Sequence, residues 1–164
     1  MLTLAQQFHT GFVVGDLEGA VADFETAFAG SWTPIETVPL QLAGPAGRVE
    51  IDLRVAFSRE GPQRFELIEA VDGTIWEMPR SPQGDASPPH HVGFFVDDVV
   101  AESERLEEAG APLLHTIDDG SGAVRFFAYH RLPSGLLVEL VDGRSRPGFE
   151  RWFLGGAFPG GGAS

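Results

Sequence analysis

The chain has 164 residues, enough for one substantial hydrophobic core in a single domain or in two halves that share an interface. It carries 24 acidic residues against 11 basic ones, all arginine, for a net charge of −13. Such a surface repels phosphate backbones, and the lack of lysine excludes Schiff-base chemistry through that side chain. With no cysteine there are no disulfides or thiolate ligands, so any metal must rest on nitrogen and oxygen donors. The apolar runs at 93–96 and 135–138 are far too short to span a bilayer, and MLTLAQQFHTG has no basic segment leading into an apolar one. A cytoplasmic protein with no membrane or nucleic-acid partner is expected.

In chain order, residues 8–14 form a short apolar run closed by Gly15-Asp16, which predicts a strand. Asp16 then caps a helix in which Leu17, Ala20, Val21, Phe24, Ala27 and Phe28 recur at helical spacing, and Gly30 ends it. Residues 33–38 predict a short strand and 39–48 a Pro/Gly loop. Val49, Ile51, Leu53, Val55 and Phe57 alternate through 49–58 as in a half-buried strand; REGPQ makes a turn, and 64–70 is the fourth strand. The order β-α-β-β-β then recurs. Residues 91–96 are a strand and 98–109 a helix with Val99, Leu106 and Ala109 inward and Gly110 as its stop. Residues 112–117, 123–130 and 136–141 are three more strands, separated by DDGSG and LPSG turns. Glu102, Glu104, Glu107 and Glu108 make a solvated helix face. Residues 74–89, rich in Pro, Gly and Ser, read as a linker. The chain is therefore expected to hold a single domain at 1–143, built from repeats at 7–73 and 90–143. An extension at 144–164 follows, in which RPGFERWFLGGAF can form an amphipathic helix and GGGAS is a disordered end.

The two halves match in detail. FHTGFVVGDLEGAVADFETAFAG with FELIEAVDG lies over HHVGFFVDDVVAESERLEEAG with VELVDG, which places His9 on His91 and Glu66 on Glu139. One buried histidine is usually structural and one strand glutamate usually faces solvent. Two of each at equivalent repeat positions instead suggest a metal cage across a pseudo-twofold axis, with His9, Glu66, His91 and Glu139 as ligands. Glu69 and Asp142, three residues further on, take over from the glutamates if the register slips. Two imidazoles and two carboxylates suit one divalent Mn, Co, Fe, Ni, Zn or Mg ion, and a six-coordinate ion would keep two positions for substrate oxygens. His90, one position before the ligand, is expected on the opposite strand face. His115 and His130 are expected in packing or surface roles, His130 with an outside claim on the cleft.

This tandem β-α-β-β-β text resembles the vicinal oxygen chelate (glyoxalase/bleomycin-resistance/dioxygenase) superfamily over residues 7–143. PHHVGFFVDD and GLLVELV are most similar to the methylmalonyl-CoA epimerase type. The resemblance implies an α+β fold in which two βαβββ units form a cupped eight-stranded mixed sheet around a divalent metal. It also implies a homodimer, for which the apolar WFLGGAF offers buried surface. A gapless alignment through RVAF places Glu50 on a glutamate that such epimerases use as a proton-transfer base. Glu50 and Glu139 are thus the catalytic candidates, with Asp52 as fallback on the same strand face as Glu50.

Trp32, Trp76, Phe126, Tyr129 and Trp152 are candidates to wall an apolar pocket, with core packing as the plainer role for each. Arg54 and Arg125, on corresponding third strands, can clamp an anionic group or simply pair with the surplus carboxylates. These features point to a metal-dependent isomerase, epimerase or lyase acting on a carbon next to a chelated carbonyl of a small molecule. The charge of −13 and missing lysines argue against a CoA thioester and for a ketone or lactone. A metal-free drug- or natural-product-binding protein of the bleomycin-resistance type is the alternative, favoured by the aromatic excess. An Fe(II) dioxygenase comes third, because it needs only two histidines and one carboxylate.

Overall fold

The computed structural model describes residues 1–78, 88–118, 120, 124 and 126–159. The first half consists of β1 (Gln7–Val14), α1 (Leu17–Ala27), β2 (Glu36–Gly44), β3 (Gly47–Phe57) and β4 (Arg64–Glu69). The second consists of β5 (His91–Val96), α2 (Val99–Glu108), β6 (Leu113–Ile117), β7 (Phe127–Arg131) and β8 (Leu137–Asp142), followed by α3 (Arg146–Phe153). The repeat extends to the caps. Asp16 and Asp98 hold the same extended backbone and each accepts a bond of 3.0 Å from the amide three residues on, Gly19 and Ala101.

The eight strands close into one barrel in the order β1-β4-β3-β2-β6-β7-β8-β5. Pairs β1–β4 and β5–β8 are parallel and the rest antiparallel, so the sheet is mixed. The halves meet along β1–β5 and again along a short β2–β6 seam, Leu42 with Ile117 and Ala43 with Thr116. The cup is thus closed within a single chain.

Residues 39–48 are not a loop. β2 runs through Pro39 to Gly44, a tight turn follows, and Gly47, with φ 111°, starts β3. The period-2 signal lay in Val38, Leu40 and Leu42, three residues that pack on the barrel core. Pro39 is tolerated because β2 has β6 as a second neighbour only at positions 42 and 43, leaving an edge where a missing N–H costs no ladder bond.

Two hydrophobic layers follow from strand alternation. Leu67 and Ala56 pack outward under Leu17 of α1, and Phe94, Val96, Val138 and Leu140 pack outward under Val99 and Leu106 of α2. The opposite residues of the same strands fill the barrel. Helix α3 stops one end of it, sending Phe149, Trp152 and Phe153 against Phe8, Phe57 and Phe95. The Arg59 guanidinium ties that helix down by donating to the carbonyls of Trp152 (3.3 Å) and Phe153 (2.8 Å), while Arg64 lies 4.0 Å over the Phe153 ring. The apolar coda expected to supply a dimer interface is largely used inside the chain: Trp152 and Phe153 are buried and only Leu154 stands out.

Candidate metal centre

Each of the four strands at the β1–β5 junction offers one polar side chain to the barrel interior. His9 and His91 come from β1 and β5, Glu66 and Glu139 from the β4 and β8 strands parallel to them. Along β1 and β5 the antiparallel register sets His9 opposite Gly93 and Gly11 opposite His91. Each imidazole lies across the partner strand's glycine. A Cβ on Gly93 would sit 1.9 Å from His9 Cε1, and one on Gly11 would sit 1.9 Å from His91 Cε1. The pair of glycines is therefore part of the site, and the sequence carries it as a repeated His-x-Gly, His9-Thr10-Gly11 and His91-Val92-Gly93. A bulge between Gln7 and His9 lets consecutive residues Phe8 and His9 both face inward.

The four side chains converge, all buried, with one donor atom from each lying within 4.8 Å of the others. His9 Nε2 is 2.8 Å from His91 Nε2, 3.2 Å from Glu66 Oε2 and 3.1 Å from Glu139 Oε2. His91 Nε2 is 3.0 Å from Glu66 Oε2 and 3.6 Å from Glu139 Oε2. Donors sharing one ion at about 2.1 Å stand roughly 3.0 Å apart at octahedral angles and 3.4 Å at tetrahedral ones. These spacings match. Glu66 Oε2 is buried without a hydrogen-bond partner, as an oxygen aimed at a cation would be. Two buried carboxylates also require positive charge beside them. Burial by itself lowers the pKa of His9, but Glu66 and Glu139 overcome it and raise it to about 9. Against the same burial, the two imidazoles hold both glutamates below the usual carboxylate range. A divalent ion would replace that proton's charge, and the donor set fits one.

Tautomers agree. The His90 ring does not point to the far side of β5, because it precedes the strand; Nε2 lies 2.6 Å from the Ile75 carbonyl and Nδ1 3.0 Å from His91 Nδ1. Burial, then His91, lowers His90 to about 4, so it is neutral. A carbonyl only accepts, so His90 Nε2 carries the proton and His90 Nδ1 accepts from His91 Nδ1–H. Against the burial that lowers it, Glu139 and Glu66 raise the pKa of His91; in the neutral ring Nε2 is left with its lone pair toward the cluster, the state a metal ligand needs.

Beside the cluster lies a cavity of about 90 Å³. Of the five aromatic candidates Trp76, Phe126 and Tyr129 line it; Trp152 stands behind its wall against Phe57, and Trp32 packs instead on Phe24 outside the barrel. The Tyr129 hydroxyl reaches to 3.4 Å from His91 Nε2, and burial followed by the Glu139 and Glu66 charges pushes its pKa well above the ordinary value, so it stays a donor. A model of the glyoxalase/bleomycin resistance protein/dioxygenase superfamily matches residues 8–129.

The chain belongs to that superfamily.

No curated protein matches it. Among solved structures, methylmalonyl-CoA epimerase in complex with methylmalonyl-CoA and NH4+ is 20% identical, with a TM-score of 0.56 over 85% of this chain and 95% of that one. The Mycobacterium tuberculosis methylmalonyl-CoA epimerase is 20% identical, with a TM-score of 0.53 over 87% and 92%. A hypothetical protein from Bacillus halodurans is 17% identical, with a TM-score of 0.57 over 83% and 92%. At these identities the likeness shows the superfamily fold.

Other expected site residues fall elsewhere on that fold. Glu50 and Asp52 are exposed on β3, whose alternation turns Leu53, Val55 and Phe57 to the cavity and the even-numbered residues outward. Neither carboxylate is brought to the cluster; both line a surface groove with Pro39, Leu40, Gln41 and Ile51. The gapless alignment found the strand but not the face. Glu69 and Asp142 also turn away, toward Arg54 and Arg144. Arg54 bonds Glu69 and Glu18 on the outside and clamps nothing in the cavity, while Arg125 lies outside the described residues. His130 is buried beneath α2, bonded to Ser103 Oγ (2.9 Å) and the Ala111 carbonyl (3.0 Å), and does not line the cleft. His115 is half-buried on β6.

Proposed function

We propose that the protein is a divalent-metal-dependent enzyme, an isomerase, epimerase or lyase, acting on a carbon next to a carbonyl of a small molecule. One observation supports it above the rest: His9, Glu66, His91 and Glu139 converge at the wall of an apolar cavity. His9, Glu66, His91 and Glu139 would hold the ion, which as a Lewis acid would polarise a carbonyl and make the adjacent C–H more acidic. Glu139 faces the cavity and is held ionised, so it can take up and return that proton. Tyr129 can donate a hydrogen bond to a substrate oxygen, and the aromatic walls exclude water from the developing charge.

One neighbour, a methylmalonyl-CoA epimerase, is in complex with methylmalonyl-CoA. With its charge of −13 this chain is a poor host for nucleotide phosphates, which supports a ketone or lactone instead. Sequestration of an apolar compound without chemistry is the second reading. It is favoured by the placement of Glu50 on the outer face, which leaves the cavity with no acid or base beyond the cluster and Tyr129 among the described residues.

Both are tested by loading the protein with Mn²⁺, Co²⁺ or Zn²⁺ and following α-proton exchange of small ketones and lactones in deuterium oxide. Exchange should require the metal and vanish in His91→Ala, whose metal content should drop at least tenfold. Metal-independent binding with no exchange for any carbonyl compound would establish sequestration. Full metal occupancy in His91→Ala would remove the ligand assignment.

A further inference from the structure

Resting on the metal-site reading above, we infer the class of molecule that the cavity takes: beyond the oxygens that would meet the His/Glu cluster, an uncharged, apolar body whose length Phe158 limits. Two observations carry this.

The first is polarity. Apart from the cluster, Tyr129 and Trp76, every described side chain lining the cavity is aliphatic or phenyl. The arginines nearest the barrel are engaged elsewhere: Arg54 with Glu18 and Glu69, Arg59 with backbone carbonyls, and Arg64 against the Phe153 ring. Away from the cluster, an anionic group in this space would lose its hydration with no described cation to replace it.

The second is the aromatic lining. Phe8 and Phe57 stand edge-on to the His9 ring at 4.3 and 5.4 Å, and Phe149 lies 6.0 and 6.2 Å from those two phenyl rings. Phenyl walls of this kind favour an apolar body over a polar one.

The far wall comes from the C-terminal segment. Phe126 and Phe158 line both this cavity and the surface groove beside it, so they separate one from the other. Phe158 is held there by an edge contact of 4.9 Å to the buried Trp152, itself part of the anchored α3. Phe158 is thereby the residue that limits substrate length, and it lies beyond the two repeats that build the cluster.

The test uses four vicinal diketones on metal-loaded and on chelator-stripped protein, with calorimetry as readout: butane-2,3-dione, 1-phenylpropane-1,2-dione, and the latter's 4-methyl and 4-carboxy derivatives. The phenyl compound should bind at least tenfold more tightly than butanedione, and the 4-carboxy compound at least tenfold more weakly than its 4-methyl counterpart. Phe158→Ala should improve binding of the 4-methyl compound at least threefold, and Phe158→Trp should weaken it by a similar factor. Phe158 is half-buried at the edge of the fold, so both variants should fold. Equal binding of the 4-carboxy and 4-methyl compounds, as when the carboxylate escapes past Phe158 toward Arg151, would overturn the inference. So would a ranking indifferent to both Phe158 variants. If the metal-site reading alone fails, the protein takes up no metal yet the stripped form keeps the same ranking, so the two failures are distinguishable.

Discussion

Replacing Gly93 with alanine tests whether the two histidine rings are positioned by the glycines opposite them. The new Cβ would sit 1.9 Å from Cε1 of His9 and 2.4 Å from both ring nitrogens, against ordinary contact at 3.4–4 Å. The ring must retreat by about 1.5 Å, well beyond the ±0.2 Å that metal–ligand distances tolerate. It has little room to do so, since it is buried between Phe8 and Phe57. Gly93 has no left-handed φ, so the cost is purely steric, about 1–3 kcal/mol for such overpacking. Metal affinity should fall ~10²-fold, the upper end for disturbing a ligand's support. Competition with a chromophoric chelator measures the affinity, and urea melts of the stripped protein measure stability. Gly15→Ala, whose Cβ meets nothing within 4 Å, should change neither. In a His9→Ala background the stability cost of Gly93→Ala should disappear, because the clashing ring is gone. An unchanged metal affinity in Gly93→Ala, or a cost that persists without His9, would refute the reasoning.

Tyr129→Phe should keep metal content and lower the rate of α-proton exchange about tenfold or more, as loss of a donor to the developing charge does; an unchanged rate would leave Tyr129 a wall. Glu50→Gln should leave exchange within twofold, given its place on the outer face, and a hundredfold loss would return it to the mechanism. The stability profile should bear the mark of His130. Burial, outweighing the Ala111 carbonyl and Glu107, lowers its folded pKa below the unfolded value of about 6.5. The folded state then binds fewer protons, so this stability is present above pH 6.5 and is lost as the pH falls below that value toward the folded pKa. Melts of the parent and His130→Asn between pH 7 and pH 5 should show a flatter slope in the variant, and parallel slopes would contradict the assignment.

The sequence alone determined the repeat, and with it the order of elements, the Asp16 cap and the four residues that converge. Those were legible because duplication writes the same side chain at the same structural position twice, while Asp caps and period-3.6 helices are local matters. The rest depended on contacts far apart in the chain. The strand through Pro39 was hidden because proline reads as a breaker until the neighbouring strand shows that its missing donor lies on an edge. Glu50 was assigned to the site by alignment, but a period-2 strand shows one face or the other, and only the barrel's closure fixed which face is inside. The His-x-Gly pairs were visible as text, yet their meaning required the β1–β5 register that lays each imidazole across the opposite glycine. The tertiary structure alone assigned the coda its place. An amphipathic helix covers whatever apolar surface lies within reach, and here that surface is the open end of the chain's own barrel.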